Sequence, residues 1–274
     1  MHIVYCGFDY FSGCLEKLID AGHRVLRVYS IEADNYYVYN QYIQAITIKN
    51  AIPFSLSPVN GDALSEMRHI GCELLITAGY LYKIPPLEPF GIKGFNIHPS
   101  LLPQGRGRWP LPWMILNDLS SAGVSFHRLS PRWDEGAILA QKAFELGADE
   151  TLESLNAKMQ MAAKAGVVEV VDALEVLWAQ ARPQVGGDYW PLTTESQRTL
   201  SWNDSVTLID RQSRAFGKYG CLAEFNGRQY TVYSLNAWPQ RHDDRIGEVV
   251  HLTHTETIVA ASDGYVCLRY FEQR

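Results

Sequence analysis

Residues 94–138 read GFNIHPSLLPQGRGRWPLPWMILNDLSSAGVSFHRLSPRWDEGAI, and this stretch decides the fold. Phe95–His98 is a short strand, and Pro99 stops it because a proline has no N–H to continue the ladder. A Pro- and Gly-rich turn follows, then a helix, a second strand (Val124–His127) and an acidic loop around Asp134. Asn96 and His98 stand two apart on the first strand, so their side chains share one face. Pro99 leaves His98 at a strand end, where open α/β sheets place ligands. A returning strand and loop can carry Asp134 to the same edge. One amide, one imidazole and one carboxylate supply an oxyanion donor, an acid or base, and an orienting group.

The segments upstream give this strand a sheet to belong to. His2–Gly7 is a compact apolar strand, Leu15, Leu18 and Ile19 recur at helical spacing before Gly22 as a C-cap, and Val25–Ser30 is the next strand. Pro53–Leu56, a helix over Ala63–Ile70, and the buried strand Glu73–Ala78 continue the pattern. Alternating strands and helices predict an α/β fold with a Rossmann-like, mostly parallel sheet. The first turn, Gly7 to Gly13, is not G-x-G-x-x-G, so a nicotinamide dinucleotide is not expected. Tyr36, Tyr37, Tyr39 and Tyr42 read as packed amphipathic rings before a helix, with a place along a substrate cleft as the alternative.

Downstream, Leu152, Leu155, Met159, Ala162, Gly166, Val170, Leu174 and Leu177 trace one face of a single long helix, entered through Asp149 or Thr151. The cluster Arg182-Pro183-Gln184-Val185-Gly186-Gly187 then breaks regular structure. Beyond it come a helix over Val206–Phe216, an Asn226-Gly227 hairpin signal and a run of short strands, which predict a small β-barrel-like domain. The expected organisation is a catalytic domain over residues 1–182, a linker over 183–200 and a small β-rich domain over 201–274.

At 274 residues, with 47% hydrophobic and 20% charged residues, the chain has the composition of an ordinary globular protein. No stretch reaches the roughly 20 apolar residues of a membrane helix, and the N-terminus reads as a first strand and no signal peptide. Cys6, Cys14, Cys72, Cys221 and Cys267 are scattered without a C-x-x-C pair, which points to a reduced, cytoplasmic setting and structural thiols. Net charge is −6. The segment Ser201–Arg274 carries eight Lys and Arg against nine Asp and Glu, a net of −1. A domain gripping a nucleic-acid backbone is expected to carry a positive excess, so this balance points away from a tRNA substrate.

The run Asn96-Ile97-His98-Pro99-Ser100-Leu101-Leu102-Pro103, with Arg106-Gly107-Arg108-x-Pro110, Gly123-Val124-Ser125 and Asp134-x-Gly136, resembles the formyltransferases that use N10-formyltetrahydrofolate. Within that family, Arg106-Gly107-Arg108, His127-Arg128 and Ala137–Gln141 look most like enzymes that formylate an amino sugar on a dTDP or UDP carrier. The resemblance implies Asn96, His98 and Asp134 as catalytic residues. It implies folate contacts at Tyr80, Leu81, Tyr82, Arg108 and the Ser130-Pro131-Arg132-Trp133-Asp134 loop. N10-formyltetrahydrofolate is then the formyl donor, a sugar nucleotide the acceptor, and neither nucleic acid nor membrane a partner; a homodimer stays open. Gln104 departs from the Lys or Arg of relatives, removing a cation beside the site. Trp109 stands where relatives carry a smaller residue.

Three rivals remain. A methionyl-tRNA formyltransferase shares the same core. A non-catalytic folate binder would not need all of Asn96, His98 and Asp134. A metal site on His98, His127 and Asp134 has no H-x-H or H-E-x-x-H pattern behind it and leaves Asn96 without a role, so no metal is expected.

Overall fold

The computed structural model describes residues 1–274, and its larger sheet grows outward from β1 (His2–Gly7), of which all but the first residue is buried. A strand covered on both faces has no polar side to show, which is why β1 and β4 (Leu74–Ala78) read as continuous apolar runs. Between them lie α1 (Ser12–Asp20), β2 (Arg24–Tyr29), α2 (Gln41–Lys49), β3 (Phe54–Ser55) and α3 (Gly61–His69). The Asn60 side chain starts α3 by accepting the Ala63 N–H. After β5 (Lys93–His98), α4 (Leu111–Leu116), β6 (Ser121–Arg128) and β7 (Ile138–Glu145), the strand order is β3-β2-β1-β4-β5-β6-β7.

The pairs among β1, β2, β3, β4 and β5 are parallel, and β6 runs antiparallel to β5. The chain winds from β1 out to β3 and returns to β4 on the other side. Its reversal therefore falls between β1 and β4, with Gly7 and Gly79 bridging at their C-terminal ends. Ligand crevices form at such reversals. Register carries the site outward from there, because Thr77 on β4 lies opposite Asn96 on β5, and Asn96 lies opposite His127 on β6.

Two elements differ from the sequence reading. The acidic loop after β6 leads into a full strand, β7, at the sheet edge; half of its residues are partly exposed, so no strong apolar run announces it. The single long helix is two, α5 (Leu152–Asp172) and α6 (Leu174–Ala179), with a non-helical Ala173 between them. No Gly or Pro marks the break. Tertiary contacts hold α6 in place: the Trp178 ring lies under the Lys93 and Arg128 cations, and Arg128 also donates to the Trp178 carbonyl.

The chain divides into two compact units, one of Met1–Arg108, Ala122–Phe144 and Ala157–Trp190, the other of Trp109–Ser121, Glu145–Asn156 and Pro191–Arg274. Residues 183–190, expected in a linker, thus pack within the first unit.

The second unit contains α7 (Glu195–Arg198), α8 (Val206–Phe216) and an antiparallel sheet of β8 (Cys221–Phe225), β9 (Arg228–Pro239), β10 (Val249–Leu252), β11 (Thr257–Ala261) and β12 (Gly264–Gln273), in the order β10-β11-β12-β9-β8. Asn226 and Gly227 both take positive φ, which matches the right-handed twist of the β8–β9 hairpin. Also in this unit, α4 packs on α8, Arg211 pairs with Asp118 at 2.6 Å, and Trp109 meets Tyr219 edge-on at 5.5 Å. Trp109 is therefore a packing residue of this unit. No helix is long and apolar enough to cross a membrane.

Candidate active site

The sequence places Asn96 and His98 on one face of β5, and the fold brings Asp134 to them. Asp134 Oδ1 lies 3.5 Å from His98 Nδ1, 3.6 Å from His127 Nε2 and 3.4 Å from Asn96 Nδ2. Its Oδ2 accepts the Gly107 N–H at 3.0 Å. Asp134 itself adopts φ 57, in the left-handed region, as the chain leaves β6 and turns back. Gly136 allows that return, because a Cβ there would meet the Arg128 carbonyl oxygen at 1.8 Å. The Asp134-x-Gly136 spacing is thus a steric demand of the loop that delivers the carboxylate.

Hydrogen-bond partners assign the tautomers. His98 Nε2 sits 2.8 Å from the Gly105 carbonyl, which can only accept, so this nitrogen carries a proton. Neutral His98 therefore presents a bare Nδ1 toward Asp134. Burial pushes the His98 pKa below its usual value, against the raising influence of Asp134 and the Gly105 carbonyl. The ring rests neutral near pH 7, and when it gains a proton the new Nδ1–H meets a carboxylate. For Asp134, burial acts to raise the pKa, but the imidazoles of His98 and His127 and the Gly107 N–H prevail and hold it below the usual carboxylate range. This side chain stays ionised.

His127 donates from Nδ1 to the Arg128 carbonyl at 3.0 Å and accepts from Asn96 Nδ2 at 3.1 Å. Asn96 Oδ1 accepts from the Thr77 hydroxyl at 2.8 Å. The amide is thereby fixed in orientation, with one Nδ2 hydrogen on His127 and the other on the long contact to Asp134. That second hydrogen is the one an incoming oxygen can take over. His127 orients Asn96, in keeping with a supporting role. Three of the four imidazole nitrogens are committed to protein groups, so His98, His127 and Asp134 do not present three free donors to a metal ion.

The other expected residues divide. Arg108 is exposed at the end of the turn, and Leu81 and Tyr82 sit half-buried and exposed after β4. Tyr80 is only 5% exposed, packs in the core and accepts the Val59 N–H through its hydroxyl, so its side chain is committed to the core. The Ser130 hydroxyl bonds to the Arg132 carbonyl at 2.6 Å and shapes the loop, while Pro131, Arg132 and Trp133 are exposed. Trp133 is 49% exposed. The side chain of Gln104 is exposed as well.

Sequence reasoning missed the groups that hold these parts together. Thr77 fixes the Asn96 amide, and the Gly105 carbonyl and Gly107 N–H act through the main chain, which no side-chain pattern reveals. Gln184 and Tyr189 come from a stretch without periodicity.

The comparisons with known proteins bear on this geometry. Residues 7–171 match the formyl transferase family, and residues 193–273 match the formyl transferase C-terminal domain. The chain belongs to the formyl transferase family. It is 28% identical over 279 residues to the methionyl-tRNA formyltransferase of Pseudothermotoga lettingae, covering 98% of this chain and 90% of that protein. The methionyl-tRNA formyltransferase of Dechloromonas aromatica is 26% identical, over 96% of this chain and 88% of that protein. HypX from Aquifex aeolicus, solved in complex with tetrahydrofolic acid, superposes with a TM-score of 0.70 at 20% identity. That likeness covers 99% of this formyltransferase and 44% of the HypX chain, and it shows the fold alone.

These relatives overturn the sugar-nucleotide acceptor expected from the sequence, since both are methionyl-tRNA formyltransferases matched along nearly the whole chain. Three of the residues behind that expectation are scaffold. Arg106 is buried and bonded to Gln184, Arg128 stacks on Trp178, and Gln141 donates to the Leu102 carbonyl and the Ser125 hydroxyl. Groups spent on holding a core do not report what the core acts upon.

Proposed function

We propose that this formyltransferase transfers a formyl group from N10-formyltetrahydrofolate to the α-amine of methionyl-tRNA. The observation that carries the acceptor is the full-length similarity to methionyl-tRNA formyltransferases. The net charge of the C-terminal segment is a poor guide, because a sum ignores where charges lie. Several of its acids are spent internally, Asp210 on Arg214, Asp263 on the Val206 N–H and Asp244 on the Tyr265 hydroxyl. Arg228, Arg241 and Arg245 stand exposed at its turns, where phosphates can reach them.

The donor supplies an activated formyl group, and the residues of this chain supply placement, charge and proton transfer. In our reading the Asn96 Nδ2–H donates to the formyl oxygen as negative charge gathers there. His98 takes the proton released by the attacking amine on Nδ1 and returns it to the departing nitrogen. Asp134 stabilises the imidazolium in between. In the same reading Leu81, Tyr82, Arg108 and the main chain of Tyr80 and of Ser130–Asp134 hold the donor. The test is formylation of methionyl-tRNA with N10-formyltetrahydrofolate, at low and physiological salt, with free methionine as the control acceptor. Salt-sensitive turnover of the tRNA alone is expected; no formylmethionyl-tRNA from folded protein overturns the reading.

A further inference from the structure

The Gln184 amide makes four hydrogen bonds, as many as an amide can. Its Oε1 accepts from Arg106 Nε at 3.0 Å and Nη2 at 2.8 Å. Its Nε2 donates to the Asp134 carbonyl at 2.7 Å and to the Gly136 carbonyl at 2.8 Å. The two groups joined this way are the two halves of the catalytic support. On one side, the Gly105–Gly107 turn receives the His98 Nε2–H and gives its N–H to Asp134. On the other, the left-handed Asp134 turn aims the carboxylate. The neighbouring residues add to the same clasp: Arg106 N–H donates to the Asp188 carbonyl, Trp190 N–H donates to the Arg106 carbonyl, and the Tyr189 hydroxyl donates to the Trp133 carbonyl.

The residue type follows from this position. A buried arginine is ordinarily met by a carboxylate, and Glu at 184 would satisfy Arg106. It would have no hydrogens for the Asp134 and Gly136 carbonyls, and it would set a second negative charge against the backbone of Asp134. Leu would leave the Asp134 and Gly136 carbonyls without these donors, and would leave the buried Arg106 guanidinium only its hydrogen bond to the Gly186 carbonyl. Only an amide accepts on one side and donates on the other without adding charge beside His98.

We propose that Gln184 is a positioning residue that locks the Gly105–Gly107 turn to the Asp134 loop and so fixes the tautomer of His98 and the aim of Asp134. This rests on the assignment of His98 and Asp134 to proton transfer given above. Small displacements of such groups cost rate rather than binding, so kcat in Q184E and Q184L falls roughly 10- to 100-fold with donor KM little changed.

The test pairs kinetics with ¹⁵N NMR of the His98 ring, assigned by the signals lost in H98Q. Neutral His98 in the unsubstituted enzyme is expected as the single Nε2–H form, with Nδ1 unprotonated. In Q184E, which keeps the side-chain volume, a mixture of tautomers is expected, with the protein still folded by thermal melting. A kcat loss without a change in the His98 ring signals overturns the proposal, as does a kcat within about 3-fold of the unsubstituted enzyme. The NMR readout needs no acceptor. Unsubstituted enzyme that is inactive on methionyl-tRNA, with His98 tautomers mixed in Q184E, supports the clasp and rejects only the acceptor.

Discussion

Asp134→Asn preserves the size of the side chain and removes the charge facing His98 Nδ1 at 3.5 Å. Asn Oδ1 can still accept the Gly107 N–H, so the loop keeps its anchor. At this separation and an effective dielectric of about 20, a carboxylate and an imidazolium attract by about 4–5 kcal/mol. Residual amide dipoles and solvent recover part of that, leaving about 2–4 kcal/mol, or roughly a 30- to 1,000-fold lower kcat. An Asn amide N–H aimed at the bare Nδ1 adds to the loss by occupying the base. The pH profile gives the sign. In the proposed mechanism neutral His98 is the active form, so kcat/KM is expected to fall on the acid side as pH drops through a His98 pKa that burial has already lowered. Asp134 raises that pKa, and His127, the other titratable group facing the ring, lowers it. Removing the carboxylate therefore moves the acid limb to still lower pH while the plateau drops. Initial rates of methionyl-tRNA formylation from about pH 5 to about pH 9 test both. A plateau above about one third of the original, or an acid limb that moves upward, refutes the assigned roles.

Asn96→Ala removes the proposed oxyanion donor and is expected to lower kcat by roughly 10²- to 10³-fold; a rise in KM alone would place Asn96 in substrate binding only. Arg108→Ala is expected to weaken a folate analogue by about 3- to 10-fold in equilibrium titration without changing the melting temperature, and unchanged affinity removes Arg108 from the donor site. Gly107→Ala sets a Cβ 2.6 Å from the Trp190 carbonyl oxygen at a φ of 115. A loss of about 1–3 kcal/mol in denaturant unfolding is expected, together with lower activity. All five cysteines are buried, and burial pushes the Cys72 thiol up to about 11. A thiol reagent near pH 8 should therefore label the native enzyme slowly and all five thiols in denaturant; fast native labelling contradicts the packing.

The sequence by itself determined the order of strands and helices through β6, because both-face burial and one-face burial write different periodicities. It also determined that Asn96 and His98 share a face, since strand geometry alternates side chains without help from the rest of the chain. Proline after His98 marked where that strand must stop. What pairs across distance was decided only by the tertiary structure. The convergence of Asp134 and His127 on β5 depends on the β5–β6 register and on a left-handed turn. The break at Ala173 carries no Gly or Pro signal, and α6 beyond it is held by cations from β5 and β6 over Trp178. The clasp of Gln184 on Arg106 and the Asp134 loop comes from a segment whose Gly and Pro content marks only the lack of regular structure. Composition reports local backbone preference; partners more than 40 residues away in the chain leave no trace in it, as the Gln184 bonds to Asp134 and Arg106 show. For the same reason the tautomer of His98, set by one backbone carbonyl, was legible only once the turn carrying Gly105 had closed over it.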